Sequence, residues 1–359
     1  MTDDDEPAST PEHFGRYRLI QRIGRGGMAE VFRAYVDGSQ HFASTFVIKR
    51  IRPEKSDLPE LVSMFCEEAR ITALLQHPNI VEVYDFGQIG GAYFMAMEYL
   101  RGRDLAAVMR ALRAELASVP FVVAARVARD VGLGLEHAHG ARYADGRAAE
   151  IVHRDVTPSN VMLLRAGGVK VLDFGIAKAA AAARPETPGT ARKSRVRGKL
   201  AYLSPEQVRN AELDGRSDVF SLGVVLWEML VGQRLFAGES EFQTLRNVLT
   251  MPVPPPSERR EGVPRVLDAV VARALARERD ERFPSARAFV DALERAAPEA
   301  SSPSAEIAVG ELLGTLFGDG DLGVSTGRFT STFTAVTEES LSRAAPDPSR
   351  PAGTTNEEK

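Results

Sequence analysis

His153-Arg154-Asp155-Val156-Thr157-Pro158-Ser159-Asn160, followed shortly by Asp173-Phe174-Gly175, is the stretch whose reading decides the fold. It supplies one carboxylate to orient a hydroxyl, Asp155, and two oxygen ligands for a hard cation, Asn160 and Asp173. Phosphoryl transfer calls for such a set, because its loose and highly charged transition state needs positioned reactants and neutralised oxygens. The orienting carboxylate has to come within about 2.6–3.2 Å of the attacking oxygen. Mg²⁺ prefers oxygen ligands and takes few carboxylates, leaving room for substrate phosphates. Either short string alone would read as a turn between strands, so the order of the remaining pieces carries the weight.

Upstream, Ile23-Gly24-Arg25-Gly26-Gly27-Met28-Ala29-Glu30-Val31 places a glycine turn between two alternating segments, Tyr17 to Ile23 and Val31 to Val36. This predicts a hairpin whose glycines let the backbone approach phosphate oxygens. A third strand, Phe46-Val47-Ile48-Lys49, ends in a base. An amphipathic helix is expected from Leu58 to Gln76, capped by Asp57, with Leu61, Phe65, Ile71 and Leu75 on one face. Glu67 and Glu68 lie in mid-helix, where either could meet Lys49.

From about Tyr17 to Ala297 these motifs, in this order, resemble a bacterial eukaryotic-like Ser/Thr protein kinase. The resemblance implies an α+β, bilobal protein-kinase fold: a small antiparallel β-sheet N-lobe with one helix, and a larger, mainly α-helical C-lobe. It implies ATP with Mg²⁺, Mn²⁺ being a substitute, and protein substrates with Ser/Thr acceptors. Ile23, Gly24, Arg25, Gly26 and Gly27 would cover the phosphates, and Lys49 would pair with Glu68, Glu67 being the weaker candidate. Val31, Val47 and Met162 would sandwich the adenine, Met97 would stand before a hinge at Glu98, Tyr99 and Leu100, and Asp104 would reach the ribose. Glu206 of Ser204-Pro205-Glu206 would pair with Arg282, and Asp218, opening a buried helix to Leu230, would hold the catalytic loop's backbone.

Two departures from the family pattern belong together. Ser/Thr members usually carry a lysine two residues after the catalytic aspartate, where this chain has Thr157, and a threonine after the glycine near the end of the activation segment, where it has Lys199. The expectation is an exchange: Lys199 supplies the cation at Asp155 and Thr157 the hydroxyl. Ala29, standing for the third glycine of the loop, joins them in keeping a pseudokinase scaffold as the alternative.

Composition agrees with a globular enzyme. The 359 residues are 44% hydrophobic, enough for a large core, and a formal net charge of −4 gives no sign of nucleic-acid affinity. One cysteine, Cys66, excludes an internal disulfide and reads as a small apolar filler. The sequence contains no membrane span and no signal pattern, so a cytoplasmic protein is expected. Residues 1–16 read as an acidic, disordered leader, 17–100 as the N-lobe, 101–297 as the C-lobe and 298–359 as a Ser/Pro/Gly/Thr-rich tail. A short helix near 305–317 in that tail, carrying Ile307, Leu312, Leu313, Leu316 and Phe317, would either stay disordered, dock a partner or fold back. Thr187, Thr190 and Ser194 in the basic activation segment are candidate autophosphorylation sites, with Arg154 as the phosphate's partner.

Overall fold

The alternation at the start of the chain becomes a curled antiparallel sheet. A computed structural model describes residues 11–36, 45–174 and 199–318. Strands β1 (Glu12–Phe14), β2 (Tyr17–Arg25), β3 (Ala29–Val36), β4 (Thr45–Ile51), β5 (Val83–Ile89) and β6 (Ala92–Glu98) line up in the order β1-β2-β3-β4-β6-β5. Strand β1 lies inside the stretch read as leader: Phe14 is buried and packs edge-on against Phe94 at 5.5 Å, so that boundary moves to about residue 11. Lys49 sits within β4 and not at its end, opposite Val31 on one side and Met95 on the other.

One helix, α1 (Pro59–Leu74), crosses this sheet. It starts one residue later than expected and Asp57 does not cap it: Leu58 holds the cap position with no side-chain bond, and Pro59 at the first turn sets the helical φ instead. Phe65 and Ile71 are buried, as the apolar spacing predicts. Cys66 is half-buried, and burial pushes its thiol pKa up, which suits a filler and not a reactive thiol.

The second lobe follows β7 (Gly102–Asp104). Helices α2 (Leu105–Ala114) and α3 (Phe121–His139) precede the hairpin of β8 (Val161–Leu164) and β9 (Val169–Val171). Then come α4 (Pro205–Val208), α5 (Gly215–Val231), α6 (Glu241–Thr250), α7 (Pro256–Arg259), α8 (Val266–Ala274) and α9 (Ala286–Ala296). Helix α5 begins three residues before Asp218, with Asp214 as its N-cap, and every residue from Ser217 to Val231 is buried. Being apolar on all faces, it forms the axis of the large core that α3, α8 and α9 surround.

The lobe does not end at Ala297. Helix α10 (Pro303–Phe317) packs on α2, α3 and β8, burying Ala305, Val309 and Leu313. Ile307, expected on its apolar face, is 60% exposed. Gly310 and Gly314 are what lets the helix come so close: a Cβ on Gly310 would stand 2.7 Å from the Arg165 carbonyl oxygen. The residues that weaken the helix in isolation therefore strengthen its docking.

Candidate active site

Strand β4 and helix α1 bring the first cluster together. Lys49 Nζ donates to Glu68 Oε1 at 2.5 Å and to Asp173 Oδ1 at 3.1 Å, with the lysine 2% exposed. Glu67 stays on the outer surface, 3.9 Å from Arg70. Burial works against the charge on Lys49, but the carboxylates of Asp173 and Glu68 outweigh it and raise its pKa. Burial pushes the Glu68 carboxyl up, to about 7, against the pull of Lys49.

The second cluster is built on the loop between α3 and β8. Asn160 Nδ2 donates to the Asp155 backbone oxygen at 2.8 Å and to its Oδ2 at 3.0 Å, which orients the carboxylate and turns the amide oxygen of Asn160 away from it. Lys199 Nζ reaches the same Oδ2 at 2.9 Å. The Thr157 hydroxyl pairs with Ser159 Oγ at 3.0 Å, so the second half of the expected exchange, a hydroxyl on Asp155, is not formed. Thr157 has its bonding satisfied two residues along the loop instead.

Asp218 fixes that loop from below. Its carboxylate accepts from the backbone N–H of His153 and of Arg154, each at 2.8 Å, and from His139 Nε2 at 2.8 Å. Burial alone would raise its pKa, but these donors lower it. They hold Arg154 at a φ of +64°, a left-handed conformation that a non-glycine residue adopts at a cost of about 1–3 kcal/mol. Gln207 adds a bond to the Arg154 carbonyl at 3.0 Å. His139 and Gln207 have no local motif, and only their positions across the fold expose them.

A third group joins the two clusters. Phe174 is buried among Ile71, Leu75, Ile80 and Ile151, so it ties α1 to the loop, and its ring lies 4.7 Å from that of His153. Between the lobes, Val31, Val47, Met97, Leu100, Met162 and Leu172 share one apolar cluster. Glu98 is pinned by Lys170 at 2.5 Å and by the Glu82 N–H at 2.8 Å, which sets the backbone path toward Leu100. Gly26 N–H bonds to the Ala29 oxygen at 2.8 Å and closes the glycine turn.

Two expected site residues also carry structural bonds. Arg25 turns its guanidinium to Glu30 at 3.4 Å, leaving only its backbone to the loop. Asp104 is buried and caps α2, accepting from the Ala107 N–H at 2.8 Å, so the carboxylate read as a ribose ligand carries a structural bond. Thr187, Thr190 and Ser194 fall outside the described residues. The side-chain oxygens of Asn160 and Asp173 suit a hard divalent cation.

Glu206 receives both terminal nitrogens of Arg282, at 2.7 and 2.8 Å, more than seventy residues apart in sequence. The model of the protein kinase domain family matches residues 17–292. The chain belongs to the protein kinase family. This kinase is 40% identical over 306 residues to the tyrosine-protein kinase MasK of Myxococcus xanthus, covering 85% of the chain and 47% of that protein. It is 37% identical over 286 residues to the serine/threonine-protein kinase PknB of Mycobacterium leprae, covering 77% of the chain and 42% of that protein. The chain thus spans less than half the length of these two relatives. The crystal structure of the Mycobacterium tuberculosis PknI kinase domain is similar with a TM-score of 0.57 at 26% identity, covering 81% of this kinase and 100% of that chain.

Proposed function

We propose that the chain is an active kinase that transfers the γ-phosphoryl group of Mg–ATP to serine or threonine hydroxyls of protein substrates. The observation that carries this reading is Lys49, held by Glu68 and Asp173, with Asn160 bonded to Asp155 and its backbone oxygen accepting from the N–H of Leu172, the neighbour of Asp173, at 2.9 Å. Lys49 would bind the α- and β-phosphates, Asn160 and Asp173 would hold Mg²⁺, and Asp155 would orient the acceptor. The acceptor oxygen attacks the γ-phosphorus and its proton passes to Asp155. The bond from that phosphorus to the β–γ bridging oxygen breaks, its electron pair remaining on ADP. The rival pseudokinase reading draws on Ala29, Thr157 and Lys199, but Ala29 keeps its backbone N–H, and Lys49, Glu68, Asp155, Asn160 and Asp173 argue against it.

A tyrosine acceptor is the second reading, because a relative at 40% identity is named a tyrosine kinase. Among the described residues no helix is long and apolar enough to cross a membrane, and we place the chain in the cytoplasm. Autophosphorylation at Ser194, Thr190 or Thr187, answered by Arg154, and a docking partner for the C-terminal tail, residues 298–359, belong to the same proposal. The purified chain incubated with Mg–ATP beside Asp155→Asn, with phosphosites mapped by mass spectrometry, tests it. Phosphoserine and phosphothreonine in the wild type alone are expected. Phosphotyrosine alone overturns the acceptor class, and no transfer at all overturns the activity.

A further inference from the structure

We propose that Lys199 is a catalytic residue, whose ammonium neutralises the transferring phosphoryl group from the side of the cleft opposite Lys49. This rests on the kinase reading above and deepens it by making the end of the activation segment part of the chemistry.

The position of Lys199 argues for it. Its Nζ lies 2.9 Å from Asp155 Oδ2, the oxygen that Asn160 also orients, and its side chain is 19% exposed. A surface lysine gains little from a solvated pair and keeps its rotamer freedom, whereas this one is drawn into the cleft. A cation in contact with the proton-accepting carboxylate is also beside the hydroxyl it orients, and so beside the phosphorus under attack.

The need for it follows from the loop. From Asp155 to Asn160 the chain carries no cationic side chain, and Thr157 is buried with its hydroxyl on Ser159. Lys49 is committed to Glu68 and Asp173. Among the described residues, Lys199 is the cation that reaches Asp155.

Its backbone is held for the task. Lys199 O accepts from the Tyr202 N–H at 3.1 Å, and Leu200, Ala201 and Tyr202 are buried. The Tyr202 hydroxyl donates to Glu228 at 2.7 Å, and its carbonyl accepts from Ser221 Oγ at 2.7 Å, both partners lying on α5. Preorganised charge of this kind acts without reorganisation at the moment of transfer. The hydroxyl proton goes to Asp155.

The test uses the full chain with Mg–ATP and casein, comparing Lys199→Ala, Lys193→Ala and the exchange Thr157→Lys/Lys199→Thr. Mg–ADP affinity is measured by calorimetry. Lys199→Ala is expected to lose about 10²-fold or more in kcat, with Mg–ADP affinity within about twofold of wild type. Lys193→Ala should stay near wild type, and the exchange should recover about tenfold or more over Lys199→Ala. Equal small effects at Lys193 and Lys199, a faster Lys199→Ala, or an exchange no better than Lys199→Ala overturns the proposal while the kinase reading stands. A wild type that neither binds Mg–ADP nor transfers phosphate overturns both.

Discussion

Lys49 and Glu68 meet at 2.5 Å between a strand and a helix, with the two side chains 2% and 5% exposed. The pair ties the position of α1 to the base that would hold the phosphates. Its protonation sets two opposite pH dependences. The unfolded chain ionises Glu68 near the ordinary 4.5 and the folded chain at about 7, so the native state binds this proton more tightly. The contribution of Glu68 to stability is therefore full below 4.5 and is lost as pH rises through 7. Holding Lys49 by charge requires the ionised form. We expect kcat/KM for ATP to fall as pH drops below about 7, and Glu68→Gln to be slow at every pH with this limb absent. A profile of Glu68→Gln parallel to wild type would refute the assignment.

Arg282 and Glu206 should be the most costly pair to break. Arg282 is 1% exposed, donates to both carboxylate oxygens and lies 4.9 Å over the Phe220 ring. Removing one partner strands the other charge in the core, at a cost of about 3–5 kcal/mol. Arg282→Ala should show this loss in urea unfolding at pH 7. Burial alone would raise the pKa of Glu206, but Arg282 and Ser217 lower it below the ordinary 4.5. Its stabilisation is present above that value and lost as pH falls through the depressed one. The Arg282→Ala penalty should shrink on acidification in the same window.

At α10 the sign of one substitution separates docking from propensity. An exposed helical glycine replaced by alanine stabilises by about 0.8–1.0 kcal/mol. At Gly310 the added methyl meets the Arg165 carbonyl, so Gly310→Ala should instead destabilise, by about 1–3 kcal/mol. Truncation after Gly318 should leave the melting temperature unchanged. Truncation after Ser302 removes buried Val309 and Leu313 and should cost about 3–6 kcal/mol at most. Thermal melts of the three variants decide it.

Asp218→Asn should separate geometry from nucleotide binding. Asparagine has one acceptor oxygen for the backbone N–H groups of His153 and Arg154 and the ring of His139, so Arg154 is free to leave its left-handed conformation. A fall in kcat of about tenfold or more, with Mg–ADP affinity unchanged, is expected. A change confined to nucleotide affinity would contradict the role.

Much of this was legible in the chain itself. Strands β2 and β3 carry the two alternating segments and α1 lies within the stretch its apolar spacing marked, because apolar periodicity and the flanking turns are local signals. Lys49, Glu68, Asp155, Asn160 and Asp173 could be named because the motifs that carry them resemble, in type and order, those of the protein kinase family. The leader boundary failed because Glu12–Phe14 is too short to show alternation and forms only by pairing with β2. Thr157 was expected to turn its hydroxyl to Asp155. The choice between Asp155 and Ser159 turns on a rotamer that sequence does not encode.

What the residues determined by themselves was the set of elements and the chemical groups available to them, since backbone propensity, side-chain period and donor type are properties of short stretches. What only the tertiary structure decided was which groups meet: His139 on Asp218, Gln207 on Arg154, and two glycines turned into the contact surface of α10. These pairings join residues 79 and 53 positions apart in the first two cases. They exist because burial of a shared core fixes the distances between distant elements, and no local signal specifies that.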